Sequence, residues 1–567
     1  MNEPATGPRA GTDAAPSADT GRDVLVVLRE YGIDTVFGIP GTHNLEFYRH
    51  LPELGIRPVT TRHEQGAGFA ADGWSLQTGL PGVVITTSGP GLLNVLSAAA
   101  TAYAESRPLI VLTPGVPLGA EHTDTGALHE TKDTRGAADA VVEWARRVES
   151  GREAVQAVHD ALELFRTGRP RPVVIEVPLD VLEGRSDCPP ELLRARPDPA
   201  PRTGDPADVE RAAALLSGAA RPLVLAGGGS REAAQVLREV AERLDAPVVT
   251  TLNGRAALPE SHPLAVGAAL RLPAAHDLVN DADVLLVAGS KMGEAELWGG
   301  RLHPAGQVIR IDRVAAQLHK NITAQTGIVG DCGAVLTQLH DALPAHADND
   351  KGRRQDGRRR AAQARDRIDA QGRQWSPTAS ACAEAVAAGL PADVILGADS
   401  SQVCYYGTAN FVTLEHPNSY LYMATYATLG YGLPASIGAK TARPDRPVVC
   451  VVGDGALMFS VQELMTAVEQ ELDLVVVCAD NGGYREIEEN EADRGIDPVG
   501  VRLARPDWVR LADAFGGTGT RITTAEDVPS AVRRALEAGG VQLVHVPLSL
   551  FDRASTATRG SGHGEHP

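Results

Sequence analysis

Runs of aliphatic and β-branched residues, each too short to be a helix, recur along this chain, and helical spacing follows them. That alternation marks parallel α/β sheets, in which each crossover between strands carries a helix. It returns in three blocks. Within 21–187 the strands read IRPVTT (56–61), GVVITT (82–87) and LIVLT (109–113), with helices from Gln65 to Leu76 and from Leu92 onward. Within 207–345 they read PLVLAGG (222–228), PVVTT (247–251), DVLLVAG (283–289) and VIRID (308–312). Within 376–552 they read DVILGAD (393–399), PVVCVVGD (447–454) and LVVVCAD (474–480). The expected fold is α/β, three Rossmann-like parallel-sheet domains in series, and 567 residues is ample for three cores.

Two stretches separate the blocks. CPPELLRARPDPAPRTGDP (188–206) is rich in Pro and Arg and reads as an extended linker. Residues 346–375 contain DNDKGRRQDGRRRAAQARDR and are charged throughout, so a solvated helix or linker is expected. The ends, 1–20 and 553–567, read as disordered tails. A formal charge of −19 argues against a nucleic-acid partner, although backbone amides and a bound cation can still hold phosphate. Six scattered cysteines without a C-x-x-C pair read as reduced residues rather than a disulfide frame or zinc site. With no apolar signal region and no membrane-length apolar run, a cytoplasmic location without membrane contact is expected.

The strongest local pattern is Gly453-Asp454-Gly455 at the end of one buried run, with Asn481 at the end of the next. Ser460 and Glu463 read as a capping box for a helix whose apolar face is Val461, Leu464, Met465 and Val468. In a right-handed βαβ unit both strands are parallel, so Asp454 and Asn481 should emerge at one carboxyl edge. A carboxylate, an amide oxygen and the Gly483 carbonyl would form a hard oxygen cage suited to Mg²⁺. Gly453 and Gly455 would let the backbone approach phosphate oxygens. The competing reading is a plain turn with Asn481 as a helix cap.

Glu64 closes PVTTRHE at a strand-to-helix junction, where a carboxyl can share a proton with a ligand or simply favour the helix N-terminus. Gly66 to Ala71 fits G-x-G-x-x-A, but the acid expected about 20 residues on is missing. Gly227-Gly228-Gly229 after PLVLA is a better nucleotide-type turn, fit for an FAD or an ADP group, or else a bare turn.

Taken together, FGIPGTHN (37–44), TRHEQGAGFAADG (61–73), TSGPGLLN (87–94), TLGYGLPASIGA (428–439) and GDG with Asn481 resemble the acetolactate synthase branch of the thiamine diphosphate (ThDP) enzymes. The resemblance implies a pyrimidine-binding N-terminal domain, a central domain and a diphosphate-binding C-terminal domain. It implies Glu64 at the pyrimidine N1′, with Asp454, Asn481 and the Gly483 carbonyl on Mg²⁺. Leu429 would be the bulky apolar residue that bends the cofactor. The glutamate and the metal half-site would come from different subunits, giving a homodimer or a dimer of dimers.

Some residues depart from the acetolactate synthase pattern. Leu429 stands for Met, Asp480 for Asn, and His129 for a Gln, where it could act as an acid or base; otherwise it is a packed or surface His. His122 and His43 are weaker candidates. These departures, with GTHNLEFYRHL (41–51) and NGGYREIEE, are similar to 5-guanidino-2-oxopentanoate (2-ketoarginine) decarboxylases. The acidic run Glu486 to Glu491 could pair with a guanidinium or be a solvated helix face. The expected function is ThDP- and Mg²⁺-dependent decarboxylation of a small 2-oxo acid. The alternatives are a carboligase that joins two oxo acids and a non-catalytic binding protein of the same fold.

Overall fold

The apolar runs form the centres of three six-stranded sheets. The molecule is represented by a computed structural model that describes residues 19–298, 300–344 and 356–552. In the N-terminal domain the strands are β1 (Thr35–Gly38), β2 (Arg57–Thr60), β3 (Gly82–Ile85), β4 (Leu109–Gly115), β5 (Trp144–Arg147) and β6 (Val173–Pro178). All pair in parallel, in the order β2-β1-β3-β4-β6-β5. The central domain holds β7 (Pro222–Ala226), β8 (Val248–Thr250), β9 (Ala265–Gly267), β10 (Val284–Ala288), β11 (Gln307–Asp312) and β12 (Thr326–Val329). Their order, β12-β11-β10-β7-β8-β9, is that of the dinucleotide-binding fold. The C-terminal domain holds β13 (Ile395–Ala398), β14 (Tyr420–Leu421), β15 (Val448–Gly453), β16 (Leu474–Asp480), β17 (Thr518–Arg521) and β18 (Val541–Pro547). Its order, β14-β13-β15-β16-β18-β17, repeats the N-terminal arrangement strand for strand. The expected α/β class with three parallel sheets is what the chain adopts.

Strands such as β1, β3, β4, β15 and β16 are buried along their whole length, as sheets covered by helices on both faces require. One apolar core runs through the N- and C-terminal domains together, while two others fill the two faces of the central sheet. The shared core depends on a helix crossing. Helix Glu64–Thr78 meets helix Gly432–Ala442 so closely that a Cβ on Gly73 would lie 2.0 Å from the Ala435 carbonyl oxygen, and one on Gly438 1.8 Å from that of Ala70. Side chains at those two positions would force the domains apart. Glu463 adds a polar clamp: both its carboxylate oxygens accept the Arg62 backbone N–H at 3.1 Å.

Three local expectations need correction. Ser460 and Glu463 do not form a capping box; the helix begins at Glu463, and that side chain is turned away to Arg62 and Thr466. The stretch 346–375 is not merely a linker, because Gly357–Trp375 is a helix whose Ala361, Ala364 and Ile368 enter a core of the central domain. Those small apolar positions recur at helical spacing beneath the charge. At the N-terminal end, Asp19 and Thr20 are ordered: Asp19 caps helix Thr20–Glu30 through the Arg22 N–H and holds His50 Nε2 at 2.7 Å. The rest of the expected tails, 1–18 and 553–567, lies outside the described residues, as does 345–355. Among the described residues no helix is long and apolar enough to cross a membrane.

Candidate active site

Open parallel sheets bind ligands beyond the carboxyl ends of their strands, where the strand order reverses. In the C-terminal domain that crevice lies between β13 and β15. β15 and β16 run in parallel register, with Gly453 opposite Ala479, so the residues that follow them leave the sheet level with one another. Asp454 is buried there, and its Oδ1 accepts the Asn481 backbone N–H at 3.3 Å.

The Asn481 side-chain oxygen lies 3.1 Å from Asp454 Oδ1 and 3.0 Å from the Gly483 carbonyl oxygen, with no proton donor between them. Turning the amide over would convert both contacts into hydrogen bonds, but the present orientation lets Asn481 Nδ2 donate to Gln402 Oε1 at 3.5 Å. Oxygens spaced by about 3 Å match adjacent corners of an octahedron with metal–oxygen bonds of about 2.1 Å. With the amide oxygen facing inward, the three groups fit a hard divalent cation. Gly483 can supply its carbonyl because its φ of +137° and the Val501 carbonyl, 2.3 Å from where a Cβ would stand, exclude a side chain.

Burial, reinforced by the nearby Asp480 carboxylate, pushes the Asp454 carboxyl up to about 6. A cation in the cage would reverse that cost. Asp480 itself has partners of its own. It accepts hydrogen bonds from Arg505 Nη1 at 2.9 Å, His545 Nε2 at 2.9 Å and the Trp508 indole at 3.3 Å. Although burial opposes its ionisation, the His545 and Arg505 hydrogen bonds hold it down to about 2.

Leu429 is partly buried against the main core, one residue before a turn anchored by Asp399. Asp399 is fully buried and accepts the N–H groups of Gly430 (3.2 Å) and Gly432 (2.7 Å). Burial pushes its carboxyl up to about 6. Ser401 Oγ accepts the Gly453 N–H at 3.0 Å, pinning the first glycine of Gly-Asp-Gly. Asp399, Ser401 and Gln402 were missed in the sequence, although DVILGAD ends on an acid at a strand tip just as PVVCVVGD does.

The N-terminal crevice carries the other group. Glu64 opens helix Glu64–Thr78 and is buried, and its Oε2 accepts from Asn94 Nδ2 at 2.9 Å. Asn94 belongs to helix Pro90–Glu105, which starts at the Pro of the TSGPG segment. The buried Tyr48 hydroxyl is pushed up in pKa by burial and by the Glu64 charge.

His129 stands at the same edge. Its Nδ1 lies 3.4 Å from Ser88 Oγ, which is 2.6 Å from His43 Nδ1, and the two imidazoles meet edge to face at 5.2 Å. Burial, with His129 adding to it, lowers the His43 pKa. His122 is exposed and bonds only to the Lys132 carbonyl among the described residues.

The other sequence candidates do not gather at these edges. Gly66 and Gly68 sit inside the Glu64 helix and serve packing, with Gly68 facing Ala98. At Gly227-Gly228-Gly229, the N–H groups of Gly227, Gly229 and Ser230 are bonded to backbone carbonyls, and a Cβ on Gly227 would lie 2.3 Å from the Gly289 carbonyl oxygen. The turn packs on its neighbour.

Comparison with known proteins agrees with this geometry. Residues 18–137 match the N-terminal TPP binding domain of thiamine pyrophosphate enzymes, 209–339 their central domain, and 402–546 their C-terminal TPP binding domain. The chain belongs to the thiamine pyrophosphate enzymes. Thiamine pyrophosphate is ThDP under its other name, so this family member is an enzyme that uses that cofactor, and the reading as a non-catalytic binding protein lapses. The chain is 36% identical over 532 residues to a protein of Pseudomonas aeruginosa named as a probable 2-ketoarginine decarboxylase, covering 93% of each chain. It is 33% identical to the acetolactate synthase isozyme 3 large subunit of Escherichia coli, covering 91% of each. A probable acetolactate synthase large subunit of Methanocaldococcus jannaschii is 32% identical, over 90% of this chain and 89% of its own.

Proposed function

We propose that the enzyme decarboxylates a 2-oxo acid, 5-guanidino-2-oxopentanoate, using ThDP and Mg²⁺ in a cytoplasmic homodimer. The observation that carries the metal-dependent part is the meeting, about 3 Å apart, of the Asn481 side-chain oxygen with Asp454 Oδ1 and the Gly483 carbonyl oxygen beyond the carboxyl ends of β15 and β16. When bound, ThDP supplies the electron sink for the carbon–carbon bond that breaks as CO₂ leaves.

The chain's own groups do the rest. Asp454, Asn481 and the Gly483 carbonyl would hold Mg²⁺, and Gly453 and Gly455 would leave room for phosphate oxygens. Glu64, fixed by Asn94, holds a proton at the pyrimidine N1′. Leu429, beside a turn locked by Asp399, would support the cofactor from its apolar side. His129, joined through Ser88 to His43, delivers the proton that completes the product. The substrate assignment rests on similarity to the Pseudomonas protein along nearly the whole chain.

A second subunit completes the site. Among the described residues, no hydrogen bond or ion pair runs from Glu64 or Asn94 to Asp454, Asn481 or Gly483. Large apolar side chains are exposed near both halves in the chain: Leu45 and Leu93 on one, Tyr426, Met458 and Phe459 on the other. Complementation tests the arrangement. Inactive Glu64→Gln and Asp454→Ala enzymes, unfolded and refolded as a mixture, should regain about a quarter of wild-type activity, because half the dimers are mixed and each has one intact site. Recovery of none would place both groups in one subunit's site.

The acetolactate synthase relatives favour a second reading, ligation of two oxo acids. Product analysis separates them: an aldehyde and CO₂ from 5-guanidino-2-oxopentanoate, or a hydroxy-oxo acid from pyruvate.

A further inference from the structure

The helix Arg485–Asp493 begins two residues after the Gly483 carbonyl, and its glutamates differ in what holds them. Glu488 is paired with Arg485 and Arg502, each at about 2.9 Å or less, and Glu489 with Arg485 at 3.0 Å. Glu491 accepts the Val499 N–H. Glu486 has no cation partner among the described residues. Its carboxylate accepts only from neutral donors, the Tyr406 hydroxyl at 3.2 Å and Gln402 Nε2 at 3.0 Å.

Those donors tie Glu486 to the cofactor cage. Gln402 shares its amide nitrogen between Glu486 at 3.0 Å and Glu489 at 2.8 Å, and its oxygen accepts from Asn481 Nδ2. Tyr406 lies on a π-helical turn, Val403–Thr408, a rare form that often marks functional positions. Its ring packs against Trp298, Trp375 and Tyr405 with centroids 4.7–5.2 Å apart. Both tryptophans remain about 40% exposed, so the stack has an open face as well as a buried one.

We propose that Glu486 is the residue that selects a guanidinium-bearing 2-oxo acid, with Tyr406 and Gln402 as positioning residues and the aromatic stack as the wall along which the cation lies. This deepens the functional reading above and rests on it. A guanidinium carbon five bonds from the carbonyl under attack sits roughly 6 Å away at ordinary bond lengths. Its partner must therefore lie close to the cofactor without touching it, as a side chain one helical turn beyond the cage does. A carboxylate held only by neutral donors keeps its charge available for the planar fork of a guanidinium, and aromatic faces attract the same cation. Glu488 and Glu489 are already neutralised by arginines.

The test compares wild-type and Glu486→Gln holoenzymes, loaded with ThDP and Mg²⁺, on 5-guanidino-2-oxopentanoate and on 2-oxooctanoate, an acid of similar length with an uncharged tail. The ratio of the two kcat/KM values should fall about 30-fold or more in the variant, mainly through KM for the charged acid. Tyr406→Phe should lower the same ratio by only a few fold. Calorimetric titration with 5-guanidinopentanoate, which lacks the reacting carbonyl, should give binding to the wild type and a comparable loss in Glu486→Gln. An unchanged ratio, or equal binding of the unreactive analogue, overturns the role of Glu486. If the wild type decarboxylates other oxo acids but not 5-guanidino-2-oxopentanoate, the substrate reading fails separately, and the titration still decides whether Glu486 receives the cation.

Discussion

The N-terminal and C-terminal sheets share one strand order and one reversal point, yet they present different chemistry at that edge. Beyond β15 and β16 the C-terminal domain gathers three oxygens, from Asp454, Asn481 and Gly483, about 3 Å apart. Near the corresponding edge, the N-terminal domain offers one carboxylate, Glu64, on a helix N-terminus and tied to an amide donor. Clustered oxygens ask for a cation, whereas a single carboxylate beside an amide asks for a proton partner. Topology supplies the crevice, and the loops choose the chemistry.

The first loop after β1 or β13 shows the same divergence at smaller scale. Past β13, Asp399 holds the turn at Gly430–Gly432 with a buried carboxylate. Past β1, the neutral Asn44 does similar work, accepting the Gly41 N–H at 2.8 Å and donating to the Ile39 carbonyl at 3.0 Å. One turn can titrate and the other cannot.

Four substitutions sharpen or break this contrast. The largest effect belongs to the proton partner. Glu64→Gln should slow CO₂ release by about 10²- to 10⁴-fold while ThDP still binds, as read by single-turnover assay and cofactor titration. Loss of ThDP binding with unchanged turnover per bound cofactor would assign Glu64 a merely structural part. Next comes the cage: Asp454→Ala should raise the Mg²⁺ concentration needed for half-saturation with ThDP by more than about 100-fold, since losing only an outer partner costs 10–100-fold. Wild-type metal titration curves would dissolve the distinction between the two edges.

Gly438→Val tests the crossing that unites the domains. Its side chain meets the Ala70 carbonyl, so thermal unfolding should register a loss of about 1–3 kcal/mol, or separate melting of the two halves. A wild-type melting curve would mean that the helices can part freely.

The smallest effect is in pH. The folded Asp399 carboxyl, pushed up to about 6, keeps a proton that the unfolded chain has already released. Its contribution to stability is therefore full below pH ~4 and is lost as pH rises through about 6. Urea midpoints of wild type and Asp399→Asn, compared at pH 4.5 and 7, should differ in slope with the wild type falling more steeply. Parallel slopes would remove the titrating turn from the comparison.

Much of this architecture was legible because strands buried on both faces must be continuous apolar runs. Asp454 and Asn481 stood out for the same reason: each follows such a run directly, and a parallel βαβ unit has only one carboxyl edge. Glu463 was misread because S-x-x-E looks the same whether the carboxylate turns back to its own helix or reaches Arg62, 401 residues away in sequence. A solvated helix was one expectation within 346–375, but its buried face was obscured, because Ala361, Ala364 and Ile368 carry little hydrophobic signal among so many arginines. Gln402, Tyr406 and Glu486 were not recognisable as a group, since their hydrogen bonds join segments about 80 residues apart.

By itself the sequence determined three parallel α/β sheets and the strand ends at which their chemistry would stand, because periodicity and burial are local consequences of residue type. Tertiary structure alone decided which side chains face each other there: the Asn481 amide against Asp454 and the Gly483 carbonyl, the Asn94 clamp on Glu64, and the Glu486 carboxylate without a cation partner among the described residues. Those facts depend on distance and direction between remote segments, and only packing sets them.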